Sequence, residues 1–414
     1  MISRVFKAFR YRDFRLMWFG ACTSSIGTWM QIVAQGWLIY RISHSAFYLS
    51  LDQFLGGIPI FLFSLIGGVA ADRMERRRIL LVSQYVQMAS ASILTILVAT
   101  GKLGTHVWPI LCLSFVSGLA QAFGGPAYQA LIPTLVEKED MPNAIALNSI
   151  QFNVAVVVGP ALAGLALARL GEKWCFGLNA LSFLAPIISL SVITTRFLPK
   201  KTTESILSSL KQGIQFVRKQ PSMEALIVLA FCMTGLSAPM RTYFPVFVRD
   251  IFHRGPQTYG NILTLMGLGS IGGSLMIAGA GHLGKRGRVA LAAILCLGAA
   301  TAGFSLSRSL SQGGAMLVLA GVSMMAAFAS VSSLVQLITT DDMRGRVMSV
   351  YNVAFRGGMP MGNLLAGALV RGVVLFGPLR IPPLTVPVVV RLDGMLLALV
   401  ALYFFIVQRR VARL

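Results

Sequence analysis

Residues 47–100 read FYLSLDQFLGGIPIFLFSLIGGVAADRMERRRILLVSQYVQMASASILTILVAT. The first 25 residues of this stretch hold one charged side chain, Asp52, and the last 22 hold none. Between them, residues 72–78 are charged at every position except Met74. A helix of about 20 apolar residues crosses a bilayer core about 30 Å thick, because each residue advances it by about 1.5 Å. Backbone amides find no water inside that core, so each run must satisfy its own hydrogen bonds as a helix. The stretch therefore reads as two membrane-crossing helices joined by a short, charged turn.

The same alternation continues in both directions. Apolar windows at 16–40, 47–71, 79–100, 107–132, 143–168, 174–195, 223–248, 257–281, 288–307, 314–338, 346–370 and 388–407 give twelve predicted spans. The ten-residue alternation of an outer-membrane barrel is absent. Of the 414 residues, 56% are hydrophobic and 12% charged, about half the charged share of a soluble domain. A soluble enzyme is excluded. A net charge of +22 would point to nucleic acid on a soluble chain, but no basic stretch here is long enough for a separate domain, so no nucleic-acid partner is expected. Cys22, Cys112, Cys175, Cys232 and Cys296 are scattered in or beside apolar runs, which argues against a disulfide framework and a metal site. The apolar run after Arg15 is too long for a cleavable leader. Neither G-x-x-x-x-G-K-[ST] nor H-E-x-x-H occurs, so no enzyme activity, cofactor or metal is expected.

An even number of spans puts both termini on one side, and positive charge identifies it. The N-terminus, the loops at 72–78, 133–142, 196–222, 282–288 and 339–346, and the C-terminus hold 24 Lys and Arg, against 10 in the opposite loops and helix ends. Both termini are therefore expected in the cytoplasm. Within 197–222, Leu207, Leu210, Ile214 and Val217 recur at helical spacing with Lys211, Arg218 and Lys219 between them. That pattern is a basic amphipathic helix on the inner membrane surface, where anionic lipid is its partner. The linker divides the chain into six-helix bundles at 1–196 and 223–414.

The halves echo one another. Ile66-Gly67-Gly68 recurs as Ile271-Gly272-Gly273, 205 residues on, and Asp140-Met141 recurs as Asp342-Met343, 202 residues on. Gly159-Pro160-Ala-Leu-Ala-Gly164 is echoed by Met359-Pro360-Met-Gly-Asn-Leu-Leu-Ala-Gly367. The fold class is thus an all-α membrane protein of twelve transmembrane helices in two pseudo-symmetric six-helix bundles. Many secondary transporters are built in this way, with the substrate held near the midplane between the halves.

Gly68-Val-Ala-Ala-Asp72-Arg73-Met-Glu75-Arg76-Arg77-Arg78 offers glycine for close helix approach, an acid to cap a helix or pair with arginine, and a cationic cluster for helix C-termini and anionic lipid. Its readings are a conformational latch or plain positive-inside anchoring. The stretch resembles the G-x-x-x-D-R-x-G-R-R signature of the major facilitator superfamily, which there joins spans 2 and 3. The resemblance favours the latch, carried by Gly68, Asp72, Arg73, Arg76 and Arg77. Glu75 departs from the family's glycine, and the second-half counterpart, Gly281-His282-Leu-Gly-Lys285-Arg286-Gly-Arg288, has no acid. Gly159, Pro160 and Gly164 resemble the G-P-x-x-x-G element of exporters in that superfamily, where bending and close packing suit a rocking interface. The family often has arginine where Val156 stands, and that arginine's role is not carried over. Phe14-Arg15-Leu-Met-Trp18-Phe-Gly20, Ile26-Gly27-Thr28-Trp29-Met30-Gln31, Ala71-Asp72-Arg73 and Arg344-Gly345-Arg346-Val347-Met348-Ser349 extend the resemblance over nearly the whole chain. They bring it closest to the bacterial branch of enterobactin exporters and drug-efflux proteins.

Ionisable groups inside spans are costly and face protein or water. Arg241 and Arg356 lie within spans and suit an anionic group through forked hydrogen bonds, or else a structural ion pair. Gln31, Gln35, Gln121 and Tyr243 are further cavity candidates because the family lines its cavity with spans 1, 4, 7 and 10; interhelical hydrogen bonding explains each equally well. Asp52 and Asp393 are the acids within spans. Asp393 is expected to pair with Arg391 or face water, which leaves Asp52 as the proton-coupling candidate. The resemblance implies a monomeric bacterial inner-membrane exporter of a small amphipathic molecule, siderophore or drug-like, working by alternating access and driven by protons. An importer or lysophospholipid flippase of the same fold is the alternative, and a non-transporting sensor a more distant one.

Overall fold

The computed structural model describes residues 6–193, 206–279, 286–376 and 379–414. Among the described residues, ten helical segments are long and apolar enough to cross a membrane. Helices Arg12–Ser43 and Arg344–Arg371, which carry charged residues at their ends, occupy the predicted first and eleventh positions. Together these are the twelve spans, numbered below in chain order: Arg12–Ser43, Ala46–Arg73, Arg76–Ala99, Trp108–Leu131, Met141–Arg169, Glu172–Val192, Pro221–Ile251, Pro256–Gly279, Arg286–Leu306, Leu310–Leu337, Arg344–Arg371 and Val386–Ile406. Leu396, Leu399, Tyr403 and Ile406 of the twelfth are among many large apolar side chains left exposed, as lipid-facing surface requires.

Two spans are interrupted where proline dictates. The sixth consists of Glu172–Ser182 and Leu184–Val192, because Pro186 has no N–H for the Ser182 carbonyl. In the seventh, the helix Pro221–Thr242 gives way to one turn at Phe244–Val246 and a π turn at Phe247–Ile251; Pro245 cannot bond the Arg241 carbonyl. Strands Val373–Phe376 and Leu379–Ile381 pair antiparallel in the loop before the twelfth span, a small departure from an all-helical chain.

The chain falls into two compact units. One comprises Met1–Ser43, Ile58–Thr203 and Pro256–Asn261; the other comprises His44–Gly57, Glu204–Gly255 and Ile262–Leu414. In the first, span 1 packs on spans 5 and 6, and span 3 on spans 4 and 6. In the second, span 7 packs on 11 and 12, and span 9 on 10 and 12. The pattern is the same after a shift of six spans. Two further features repeat. His44 and His253 both adopt left-handed backbone (φ 48° and 51°) in the turns before spans 2 and 8, a conformation uncommon for a non-glycine residue but one that histidine tolerates better than most. A Cβ on Gly67 would strike the Ala122 carbonyl of span 4, and one on Gly273 the Val322 carbonyl of span 10. Gly269 approaches the Val318 carbonyl in the same way, whereas Gly272, the sequence mate of Gly67, meets no carbonyl within 4 Å.

The helix Ile206–Lys219 follows the predicted amphipathic pattern; linker residues 197–205 lie outside the described residues. It lays Gly213 against the Arg346 carbonyl at the start of span 11 and buries Val217, while Ile214 stays exposed. Its apolar face thus rests partly on protein.

Candidate functional site

The charged turn after span 2 acts as a staple. Span 2 (Ala46–Arg73) and span 3 (Arg76–Ala99) are separated by Met74 and Glu75, so the Arg76 guanidinium lies beside the last carbonyls of span 2. Its Nε donates to Ala71 O at 3.0 Å, its Nη1 to Ala130 O of span 4 at 2.7 Å, and its Nη2 stands 3.5 Å from Asp72 Oδ1. Arg77 donates to Ser191 O of span 6 at 2.8 Å, and Arg78 pairs with Glu75 at 2.7 Å. Helix C-termini present unsatisfied carbonyls and partial negative charge, which cations neutralise. Asp72 pairs with Arg76 rather than capping span 3; its carboxylate is about half exposed, and Arg73 is exposed as well. A Cβ added to Gly68 would meet nothing within 4 Å, whereas its neighbour Gly67 makes the close approach. In the second half, Gly281, His282 and Lys285 lie outside the described residues.

The Gly-Pro element of span 5 (Met141–Arg169) makes two close approaches within the first unit. A Cβ on Gly159 would meet the Ile26 carbonyl at 2.9 Å and collide with Trp29 Cβ in span 1. At Gly164 a Cβ would stand 3.0 Å from Gln257 O and 3.1 Å from Gly260 Cα, at the start of span 8 (Pro256–Gly279). Pro160 is buried, and its carbonyl abuts Gly260.

Gln31 and Gln35, one turn apart on span 1, join a polar chain across three spans. Asn179 Nδ2 of span 6 donates to Gln31 Oε1 at 2.7 Å, Gln31 Nε2 to Gln35 Oε1 at 3.4 Å, and Gln35 Nε2 to Ser114 Oγ of span 4 at 2.8 Å. Ser182 Oγ donates to Asn179 Oδ1 at 3.2 Å. Both glutamines are half-buried, so this network accounts for them as interhelical contacts while leaving part of each side chain accessible. Gln121, on span 4, is exposed and outside the chain of bonds. Asn179 and Ser114 are members that sequence reasoning misses; the signal available for them is a polar residue set in an apolar run.

The remaining candidates lie in the second unit. Tyr243 is fully buried, and Ser50 Oγ donates to its hydroxyl oxygen at 2.7 Å. Asp52 is 4% exposed and accepts from Gln53 Nε2 at 3.3 Å. Arg241 is half-buried in the last turn of its helix. Arg356 is half-buried in span 11 and forms no ion pair among the described residues. Asp393 does not pair with Arg391 as expected: it is 8% exposed, and its Oδ2 and the Arg391 Nε are both buried without a partner among the described residues. Two residues apart on a helix, the side chains point about 200° apart. Two clefts lie among the described residues of single units. One of ≈ 530 Å³ lies between spans 1, 5 and 6, with Thr23, Met30, Leu162, Leu178 and Arg169 in its walls. The other, of ≈ 450 Å³, lies between spans 10 and 11 and is lined by Ser332, Ser333, Gln336 and Arg344.

Comparison with known proteins agrees with this architecture. The family profile described as "Transmembrane secretion effector" matches residues 3–401. The multidrug efflux pump Tap of Mycolicibacterium fortuitum is 26% identical over 365 residues, covering 86% of this chain and 88% of its own. The enterobactin exporter EntS of Shigella boydii is 26% identical over 345 residues, covering 80% and 79%. Among solved structures, a POT family transporter in complex with 5-aminolevulinic acid superposes with a TM-score of 0.74 at 11% identity, covering 97% of this chain and 96% of that one.

Proposed function

Because this chain belongs to the transmembrane secretion effector family of the major facilitator superfamily, we propose that it exports a small amphipathic molecule, siderophore or drug-like, across a bacterial inner membrane by alternating access, driven by inward proton flow. It is a multi-pass membrane transporter and not an enzyme. What carries the reading is that Tap and EntS, which bear efflux and export in their names, each align over about four-fifths or more of both chains. In this proposal the bundles 1–196 and 223–414 rock about the linker 197–222, with both termini cytoplasmic as the 24-to-10 distribution of Lys and Arg supports. Gly68, Asp72, Arg73, Arg76 and Arg77 form the latch, and Gly159, Pro160 and Gly164 the interface on which the helices shift. Gln31, Gln35, Gln121, Arg241, Tyr243 and Arg356 are the proposed substrate contacts, and Asp52 the proton carrier. The protein works as a monomer, with anionic lipid at its basic loops.

Ligand-induced thermal stabilisation of the purified protein tests the substrate class. Catecholate siderophores that raise the melting temperature of wild type but not of Arg241→Ala identify an anionic substrate held by Arg241. Stabilisation by lipophilic cations in both proteins identifies multidrug efflux and returns Arg241 to a structural role. If neither class stabilises the protein or is moved across reconstituted vesicles, the exporter assignment of this substrate range falls.

A further inference from the structure

Asp393 stands seven residues into the helix Val386–Ile406, about 10 Å from its start at 1.5 Å per residue. Its carboxyl is nine-tenths buried, and Oδ2 has no hydrogen-bond partner among the described residues. The elements packed against this span are spans 9, 7 and 11. On span 9 the only ionisable side chain between Val289 and Leu306 is Cys296, which is exposed. That helix comes into backbone contact at Gly394, where a Cβ would stand 2.5 Å from Ala302 N and 2.7 Å from Gly298 O. Next to Ala302 is Thr301, fully buried, whose hydroxyl is also without a partner among the described residues. Span 7 contributes Tyr243, buried and within electrostatic range of Asp393, besides Arg241, Cys232 and Arg249, all half-buried, and Asp250 and Glu224, both exposed. Span 11 contributes Tyr351, buried, Arg356, half-buried, and Arg371, which lies over the Phe47 ring. On its own helix the nearest charge is Arg391, which points elsewhere. None of these forms an ion pair with Asp393 among the described residues.

We propose that Asp393 is a proton-binding site of this transporter. An ionised carboxylate with one oxygen unpartnered at this depth is held at high electrostatic cost. A proton taken from water onto Oδ2 removes that charge and leaves a neutral carboxylic acid in the apolar setting shared with the buried Tyr243. Loss of the same proton to water restores the carboxylate when the surrounding helices part. The Ser50–Tyr243 hydrogen bond ties the site to the segment His44–Gly57, which also carries Asp52. The proposal rests on the proton-driven reading above and adds a second carboxyl to it, on the other half of the sequence.

Infrared difference spectra of the purified full-length protein, taken between acidic and alkaline buffer, test the site directly. Wild type is expected to show a carboxyl C=O band that disappears in Asp393→Asn, survives in Asp52→Asn, and returns at a shifted frequency in Asp393→Glu. An unchanged band in Asp393→Asn overturns the proposal. Asp393→Glu, which keeps the acid, also guards against a misfolded Asn variant, and failure of the band to return in a folded Glu protein counts against the site. Ethidium movement in proteoliposomes separates this inference from the reading beneath it. With the site intact, a pH gradient drives ethidium in wild type, and Asp393→Asn loses the driven movement while keeping exchange at equal pH. Gradient-driven movement retained in Asp393→Asn removes the residue from coupling. Exchange without gradient drive in wild type removes the proton-driven mechanism, and with it the coupling role of Asp393, whatever the spectra show of Asp52.

Discussion

At the scale of single residues, Asp140 is a carboxylate engaged by three side chains. It sits in the loop before span 5, 2% exposed, with Lys7 Nζ at 2.8 Å, Arg10 Nη2 at 3.0 Å and the Tyr11 hydroxyl donating at 3.0 Å. The Lys7 hydrogen bond, followed by that from Tyr11 and by the nearby charge of Arg10, holds this carboxyl below the usual carboxylate range against the opposing effect of burial. A group with a depressed folded-state value adds stability above its unfolded value, and that stability disappears as pH falls through the folded one. The melting temperature of wild type should therefore fall on acidification below about pH 4, where a free aspartate titrates, and Asp140→Asn should flatten that fall. Parallel acid limbs in the two proteins would remove Asp140 from the account. The sequence marks Asp140 as a repeat position, but its three partners lie some 130 residues away, and no periodicity reveals them. Its repeat mate, Asp342, is exposed and has no such cage among the described residues, although Asp341 pairs with Arg344 at 2.6 Å.

At the scale of helices, packing is set by where a side chain is missing. Gly159 lets span 5 press its backbone onto span 1, and Gly164 opposes Gly260. Replacement of Gly159 by leucine forces atoms into occupied space, at a cost of about 1–3 kcal/mol. Gly159→Leu should lower the melting temperature in detergent and reduce folded yield, whereas the same change at Gly68, which meets nothing, should be well tolerated. Equal loss at both positions would show that helix propensity rather than contact is responsible. The positions of these glycines were legible in the sequence, and their division of labour was not. Gly67 and Gly68 are indistinguishable as letters, and only the rotation of span 2 against span 4 decides which one touches. The breaks in spans 6 and 7 fall at Pro186 and Pro245, but Pro59, Pro126, Pro160 and Pro360 lie inside unbroken helices, so proline as a letter did not mark them.

For the whole molecule, the staple formed by Arg76 and Arg77 ties together the ends of spans 2, 4 and 6. Charge-assisted hydrogen bonds of this kind contribute about 1.5–3 kcal/mol each. Arg76→Ala should therefore destabilise the folded protein measurably in thermal unfolding. Asp72→Asn, which removes a half-exposed carboxylate 3.5 Å away, should leave stability and membrane insertion near wild type and slow transport. Wild-type transport rates in Asp72→Asn would leave the arginines as a structural staple and remove the latch. The two halves share one helix-contact pattern after a shift of six spans, yet the latch sequence, with its acid, occurs in the first half alone.

The sequence by itself determined how many helices cross the membrane, where they lie along the chain, and that they repeat. Hydropathy over about 20 residues is a local property, matched to the thickness of the bilayer. The tertiary structure alone decided that Gln31 meets Asn179, that Arg76 reaches Ala130, that Gly273 rather than Gly272 makes the close approach to span 10, and that Asp393 is buried apart from Arg391. Those outcomes depend on how each helix is rotated and crossed against its neighbours. Short-range sterics and directional hydrogen bonds between distant segments set that rotation, and a one-dimensional pattern does not contain it.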